Sequence, residues 1–481
     1  MFLKLFNSKI LHNFKSWLLL VVVYYFFSSA TYALAAIVKH SHYETFVDLA
    51  VFNQGIWQYS HLKFPFITLH LDRYFLGDHF HPILILFTPF YWVLSSEKTL
   101  LFLQPFVLLS AIIPLFLIGC RLTKSYFFSF CIIFAYSLYI PLQYTLFYDF
   151  HEIIFLPPLF AWAYYFYTKS NKKLSFIFLF LCLFVKEEVG FFIAIFGLYI
   201  FIMDKSWRKF GLLWMVLGTL YSILMMHIVI PKIGGSYLYF DYGDSGKTPI
   251  DVVINFFKNP ISFFKLFFTP SVKIETLYKT FWPYGFLPLL SPLGLLLSFE
   301  QFFSRFIDLK TTTRWTIGYH YSAIMSVVVA ISTIWSAFFY TRFIKQKKLA
   351  LIVLGILLLS LTRLEQINAS AILLIKTPTF WQRSNWMDDL DQAIKLLPSD
   401  ASVATQNNIT PHVSSRKFVY LLADMEKADY ILADFHPGQS DYNFYGSENK
   451  VIYQEKLRDK ILSGKYEVKY QNQEVILIKR I

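Results

Sequence analysis

The chain alternates uncharged apolar runs with short clusters of lysine and arginine, and each pattern constrains the reading of the other. A helix needs about 20 apolar residues to cross about 30 Å of hydrocarbon. Residues 17–38, 99–119 and 126–148 meet that length, and shorter uncharged runs lie at 153–168, 174–185, 189–203, 210–230, 318–341 and 349–362. If the runs cross in turn, the clusters Lys4/Lys9/Lys15, Arg121/Lys124, Lys169/Lys172/Lys173, Lys205/Arg208/Lys209 and Arg342/Lys345/Lys347/Lys348 all fall on the cytoplasmic side. Multi-pass proteins concentrate positive charge there. One parity satisfies every cluster, whereas a missed or invented helix would put each later cluster on the wrong side. The pattern predicts an all-α polytopic membrane domain over residues 1–376 with about 9 to 11 transmembrane helices and a cytoplasmic N-terminus.

Composition agrees. The chain is 56% apolar and 16% charged, against about 45–50% and about 25% in soluble domains. The net charge of +13 is confined to the clusters between apolar runs, which sets orientation and argues against a nucleic-acid partner. With 54 Phe and 32 Tyr beside only 18 Gly, aromatic-lined helices are expected rather than close small-residue packing. Cys120, Cys131 and Cys182 lie in or beside apolar runs without CxxC spacing, so they read as packing residues. Ala33-Leu34-Ala35 resembles a cleavage site, but the apolar run continues past it and the first span is expected to be retained. Between 249 and 299, Asn255, Lys258, Pro260, Lys265 and three prolines interrupt the apolar runs, so either both segments cross or neither does.

From residue 377 the apolar excess ends. Alternating short runs predict strands at 402–405, 418–421, 430–433, 466–470 and 474–478, with helices at 385–397 and 451–462. The last span puts this small soluble α/β domain, residues 377–481, outside the cytoplasm.

The same parity collects the polar chemistry outside. The long loop 39–97, Asp149-Phe150-His151-Glu152, Lys186-Glu187-Glu188 and Tyr319-His320-Tyr321 together hold eight of the twelve histidines. Ionisable groups at a membrane are costly unless solvated or paired, so such a gathering points to a site. Asp48 opens a stretch in which Leu49, Phe52, Ile56 and Tyr59 recur at helical spacing, predicting a helix with its apolar face in lipid and interfacial in placement. The alternative role for Asp48 is to cap that helix. Asp78, His79 and His81 sit in Gly77-Asp78-His79-Phe80-His81-Pro82; in extended backbone the two imidazoles project to one side, as a divalent cation or a phosphate requires. His151 repeats that arrangement beside Asp149, where a helix cap is the plainer reading. The run 174–185 is short for a span, so Lys186, Glu187 and Glu188 are expected below the outer surface, lining a watery cavity or paired with one another.

Asp48-Leu49-Ala50-Val51-Phe52-Asn53-Gln54-Gly55-Ile56-Trp57, Gly77 to Pro82, Pro89-Phe90-Tyr91, Gln104, Asp149-Phe150-His151, Lys186-Glu187, Leu289-Leu290-Ser291-Pro292 and His320-Tyr321 resemble a prokaryotic polytopic membrane protein family of unknown function. The tail segments Pro398 to Val403, Pro411 to Arg416 and Ala428 to Asp434 resemble it too. Ala50 departs from that family's usual glycine. The family in turn resembles the GT-C glycosyltransferases, which move a sugar from a polyprenyl-phosphate carrier to an acceptor outside the cytoplasm. The resemblance implies a cell-membrane enzyme of GT-C-like fold carrying out hexosyl or pentosyl transfer, with the lipid bilayer, a polyprenyl-phosphate-linked sugar and an extracytoplasmic acceptor as partners. It implies Asp48, Asp149 and Glu187 as catalytic carboxylates. Arg73, Gln54, Lys186, His320 and Tyr321 would bind substrate, and Asp78, His79, His81 and His151 could hold a divalent cation, Mg or Mn. Two other classes remain open: a transporter or lipid-handling protein with an ion pathway through Lys186/Glu187/Glu188, and a scaffold presenting the C-terminal domain. The scaffold predicts that these acidic and histidine groups scatter in space rather than converge.

Overall fold

The computed structural model describes residues 13–69, 72–239, 242–444, 449–472 and 474–481. Lys4 and Lys9 of the first basic cluster lie outside the described residues.

Helix α1 (Phe14–Ser41) is one uninterrupted rod through the Ala33-Leu34-Ala35 site. It is followed by α2 (Val47–Ser60), a short hairpin β1–β2 (Phe66–Ile67, Arg73–Tyr74), and the span α3 (Glu97–Thr123). Then come α4 (Tyr126–Leu138) and α5 (Ile140–Phe147), bent by 44° at their junction, and the shorter α6 (Leu156–Thr168), α7 (Lys172–Leu183) and α8 (Val189–Met203). The span α9 (Lys205–Gly234) precedes α10 (Pro249–Lys258), α11 (Pro260–Leu266), α12 (Ser271–Phe281) and α13 (Pro292–Phe306). Helices α14 (Ala323–Thr341) and α15 (Lys347–Ala369) end the apolar part.

Among the described residues, five helices are long and apolar enough to cross a membrane, namely α1, α3, α9, α14 and the stretch Lys347–Ile367, and the bent pair α4–α5 makes a sixth. Helices α6, α7 and α8 have 13, 12 and 15 residues, about 18–22 Å at 1.5 Å per residue. The break between α7 and α8 falls at Lys186-Glu187-Glu188, because one helix through 174–203 would carry three charges through its middle. The interrupted region 249–299 forms α10 to α12 and the first half of α13, none long enough to span.

Close packing occurs where only aromatic packing was expected. Helices α8 and α9 touch backbone to backbone: a Cβ on Gly190 would lie 2.4 Å from the Gly218 carbonyl oxygen, and one on Gly197 2.6 Å from that of Gly211. Both pairs recur after seven residues, so the glycines form two matched contacts along one seam even though glycine is scarce overall.

The C-terminal region forms a five-stranded sheet in the order β4-β3-β5-β7-β6. Strands β3 (Val403–Thr405), β4 (Val419–Leu421) and β5 (Tyr430–Asp434) are parallel, and β6 (Tyr466–Asn472) and β7 (Val475–Arg480) close it antiparallel. Helices α16 (Asn385–Lys395) and α17 (Lys450–Leu462) flank it. Every expected strand and helix is present within a few residues.

The contact between this sheet and the segment joining α1 to α3 positions the site. The predicted lipid-facing side of α2 is instead interior, since Leu49, Phe52 and Ile56 are buried in a core continuous with Met387, Leu390, Val403 and Val419. Polar side chains on α2 account for the difference. Asn53 donates to Ser414 Oγ at 2.7 Å, Gln54 donates to the Lys417 carbonyl at 2.9 Å, and Asn407 Oδ1 accepts from the Val47 amide at 2.8 Å. In lipid each of these groups would be unpaired, at a cost of several kcal/mol.

Candidate functional site

A cavity of about 600 Å³ opens between α2, the 75–82 loop, the 149–153 segment, the α7–α8 turn, α13 and the 308–321 segment. Nine of the twelve expected site residues line it: Asp48, Arg73, Asp78, His79, His81, His151, Lys186, His320 and Tyr321. Gln54, Asp149 and Glu187 stand behind its wall. The four chain segments therefore converge, as a site requires and a scaffold does not.

At the rim, the Asp48 side chain is 34% exposed. Its Oδ2 accepts from the Tyr148 hydroxyl at 2.7 Å and lies 3.5 Å from His151 Nε2. Burial and then the Asp48 charge hold the Tyr148 phenol well above its usual range, so it remains a donor. The His151 ring stacks on His320 at 3.5 Å between centroids, and burial, then His151, keeps His320 well below the ordinary imidazole range.

The first turn of α2 is capped by Asp149 from another segment: the Phe46 amide donates to both carboxylate oxygens at 3.0 Å, and the Leu49 amide donates to Oδ2 at 3.3 Å. The N-terminus of a helix offers such amides unpaired, with a partial positive charge. Burial and then the charge of Asp48 push Asp149 up to about 6. It is a positioning residue here, since both its oxygens face backbone rather than the cavity.

The floor is an ion-pair network. Lys186 Nζ lies 3.2 Å from Glu152 and 3.8 Å from Glu188. Glu187 turns the other way, accepting from the Phe80 amide at 3.0 Å and the Tyr237 hydroxyl at 3.2 Å, with His79 Nδ1 at 2.7 Å. Burial disfavours both carboxylates, but Lys186 overcomes it for Glu152 and His79 for Glu187, leaving each at about 2. Lys186 and Glu188 line the cavity and lie within ion-pair distance of each other, as expected of this turn. The nearer partner of Lys186 is Glu152, which was not anticipated, because the short α7 brings the turn down beside the 149–153 segment.

Two of the expected metal ligands, Asp78 and His79, are engaged elsewhere. Asp78 accepts from the Tyr239 hydroxyl at 2.7 Å, His79 is committed to Glu187, and His81 is buried against Phe75. Burial holds His81 down at about 4. Among the described residues, no three of Asp78, His79, His81 and His151 bring ligand atoms within 4.8 Å of one another. Gln54 is spent on Thr68 and the Lys417 carbonyl. Arg73 donates to the Gly77 and Ser236 carbonyls at 3.3 and 3.4 Å from the edge of the cavity.

Several lining groups were missed. Arg314 lies 3.2 Å from Asp308 with its guanidinium 5.9 Å from the Tyr321 ring centroid. Arg305 donates to the carbonyls of Arg314 and Thr316 at 2.8 and 2.6 Å, which shapes the segment presenting His320 and Tyr321. Glu152 was noted only as part of a motif. Arg305 and Arg314 fall between the interrupted 249–299 region and the next apolar run, and no spacing marked them.

A rim carboxylate beside a recess walled by Lys186, Arg314 and Arg73 can accept a proton next to a bound anion. A search of curated protein sequences finds no match. By structure, the chain is similar to ArnT from Cupriavidus metallidurans, solved bound to undecaprenyl phosphate, at a TM-score of 0.52 and 8% identity over 98% of this chain and 99% of that one. At that identity the likeness is one of fold. The chain itself belongs to the family described as predicted membrane protein (DUF2079), whose profile matches residues 42–477.

Proposed function

We propose that this protein is a multi-pass membrane glycosyltransferase that moves a hexosyl or pentosyl group from a polyprenyl-phosphate donor to an acceptor hydroxyl outside the cytoplasm, with the 377–481 domain on that side. The observation that carries this reading is a half-open carboxylate, Asp48, at the mouth of a cation-walled recess in a fold similar to one solved with a polyprenyl phosphate. Asp48 takes the acceptor proton as the acceptor oxygen attacks the anomeric carbon. The bond from that carbon to the phosphate oxygen breaks, the configuration inverts, and the polyprenyl phosphate leaves. Lys186, with Arg73 and Arg314, offsets the charge on the leaving phosphate. His320 and Tyr321 orient the sugar.

A divalent cation, Mg or Mn, is the other way to neutralise that phosphate. Side-chain neutralisation predicts transfer that survives EDTA at neutral pH with the 377–481 domain intact; transfer restored only by added Mg or Mn would assign the role to a metal. The reading as a whole is tested by incubating purified protein with polyprenyl-phosphate sugars. Asp48→Asn abolishes sugar transfer with expression and folding intact, and full activity in that variant removes Asp48 from the mechanism.

A further inference from the structure

Away from the cavity, the outer end of α1, the first turn of α3 and the 410–413 turn before β4 meet at His40, Glu97 and His412. His40 and Glu97 are buried, and the ligand atoms of all three residues lie within 4.8 Å of one another. None of them lines the 600 Å³ cavity. His40 Nε2 is 3.0 Å from Glu97 Oε1, and the His40 and His412 rings stack at 3.9 Å between centroids. His412 Nε2 is buried without a hydrogen-bond partner. Two imidazoles and a carboxylate with one buried, unsatisfied nitrogen are a costly arrangement for polar packing alone.

We propose that His40, Glu97 and His412 bind a first-row transition ion, zinc by preference, that fastens the C-terminal domain to the membrane helices. The donor set is of the borderline kind that suits zinc rather than magnesium or calcium. Ligand bonds of about 2.0–2.1 Å give tetrahedral edges of about 3.3 Å, so the His40 to Glu97 separation is already that of two ligands, and a turn of the His412 ring completes the third edge. The supporting contacts match a metal site. His40 Nδ1 lies 2.7 Å from Thr45 Oγ1, a contact that holds the ring with Nε2 turned toward Glu97, and the second Glu97 oxygen accepts from Ser96 Oγ at 3.1 Å. Tyr43 stacks on the outer face of His412 at 4.1 Å and shields it. The fourth position is left to water or to a further side chain.

The consequence is mechanical. The 410–413 turn leads directly to Ser414, which holds Asn53 on α2, so an ion here stiffens the helix that carries Asp48.

The test uses the full chain purified in detergent, exposed to zinc chloride, passed through a weak chelator and measured for bound metal. Wild type is expected to retain about one zinc per chain, and His412→Ala and Glu97→Gln to retain little. His81→Ala, which alters the cavity, keeps the zinc. EDTA lowers the thermal midpoint of wild type and zinc restores it, whereas His412→Gln shows no such response, which separates lost binding from lost folding. Wild type without retained zinc, or His412→Ala with full zinc, would overturn the proposal. None of these readouts depends on sugar transfer, so the proposed activity stands or falls separately.

Discussion

The rim and the floor of the cavity solve opposite problems with the same residue types. At the floor every charge is paired in the dry interior, Glu152 with Lys186 and Glu187 with His79, and both carboxylates are held far below their ordinary range. At the rim, Asp48 keeps a third of its surface open beside Tyr148 and His151, while Asp149, a short distance behind, is pushed up to about 6. A buried and fully paired charge serves shape; a half-open one is available to a substrate. The difference teaches that proximity to the cavity does not by itself assign chemistry, since Asp149 and Glu187 were expected to share Asp48's role and have their oxygens turned to the scaffold.

The contrast can be broken from either side. The largest effect expected is at the rim, where Asp48→Asn lowers transfer by about 10²–10⁴-fold while the thermal midpoint scarcely moves, because few contacts are lost. At the floor, Lys186→Met should cost about 3–5 kcal/mol by leaving Glu152 buried and unpaired, visible as a fall in the thermal midpoint alongside lost activity. A midpoint that did not fall would show that the network is solvated.

Acid separates the regions by sign. Glu152 and Glu187, at about 2 in the fold against 4.5 free, contribute stability that is full above pH 4.5 and lost as pH falls toward 2. His81, at about 4 against 6.5, adds to this: its folded form binds fewer protons, so stability declines as pH falls below 6.5. Asp149 acts in the other direction. Its folded value of about 6 exceeds 3.8, so its contribution is full below pH 3.8 and lost as pH rises through 6. Thermal midpoints measured across pH 3 to 8 should therefore fall with acid in wild type, and fall more steeply in Asp149→Asn, which lacks the opposing term. The smallest effect is expected in Tyr148→Phe, which removes one hydrogen bond to Asp48 worth about 1.5–3 kcal/mol; a loss of about tenfold or more in transfer without a change in fold would show that this bond aims the carboxylate.

Much of this arrangement was legible in sequence. Basic clusters and apolar runs fixed the order of the long helices, and alternation in the tail gave its strands, because both patterns are local. The gathering of polar groups into one cavity was also legible, since it follows from where they fall between the apolar runs. Pairing choices were not. Asp149 capping α2 and Glu152 holding Lys186 each join residues far apart in sequence, and Arg305 reaches over an irregular loop to the 314–316 carbonyls, so nothing local specifies them. The burial of α2 was misjudged for the same reason: its apolar stripe fits lipid or a protein core equally, and Asn53 and Gln54 decide it only through partners some 360 residues away. The glycine seam between α8 and α9 escaped a reading based on total glycine content, because four residues in register suffice.

The most direct test of the account is a sugar-transfer assay on purified full-length protein supplied with a panel of polyprenyl-phosphate sugars, comparing wild type with Asp48→Asn. The account predicts consumption of at least one donor, with release of polyprenyl phosphate, by wild type and a rate about 10²–10⁴-fold lower in the variant. Equal consumption by both, or no consumption of any donor by folded wild type in the presence of an acceptor, would contradict it.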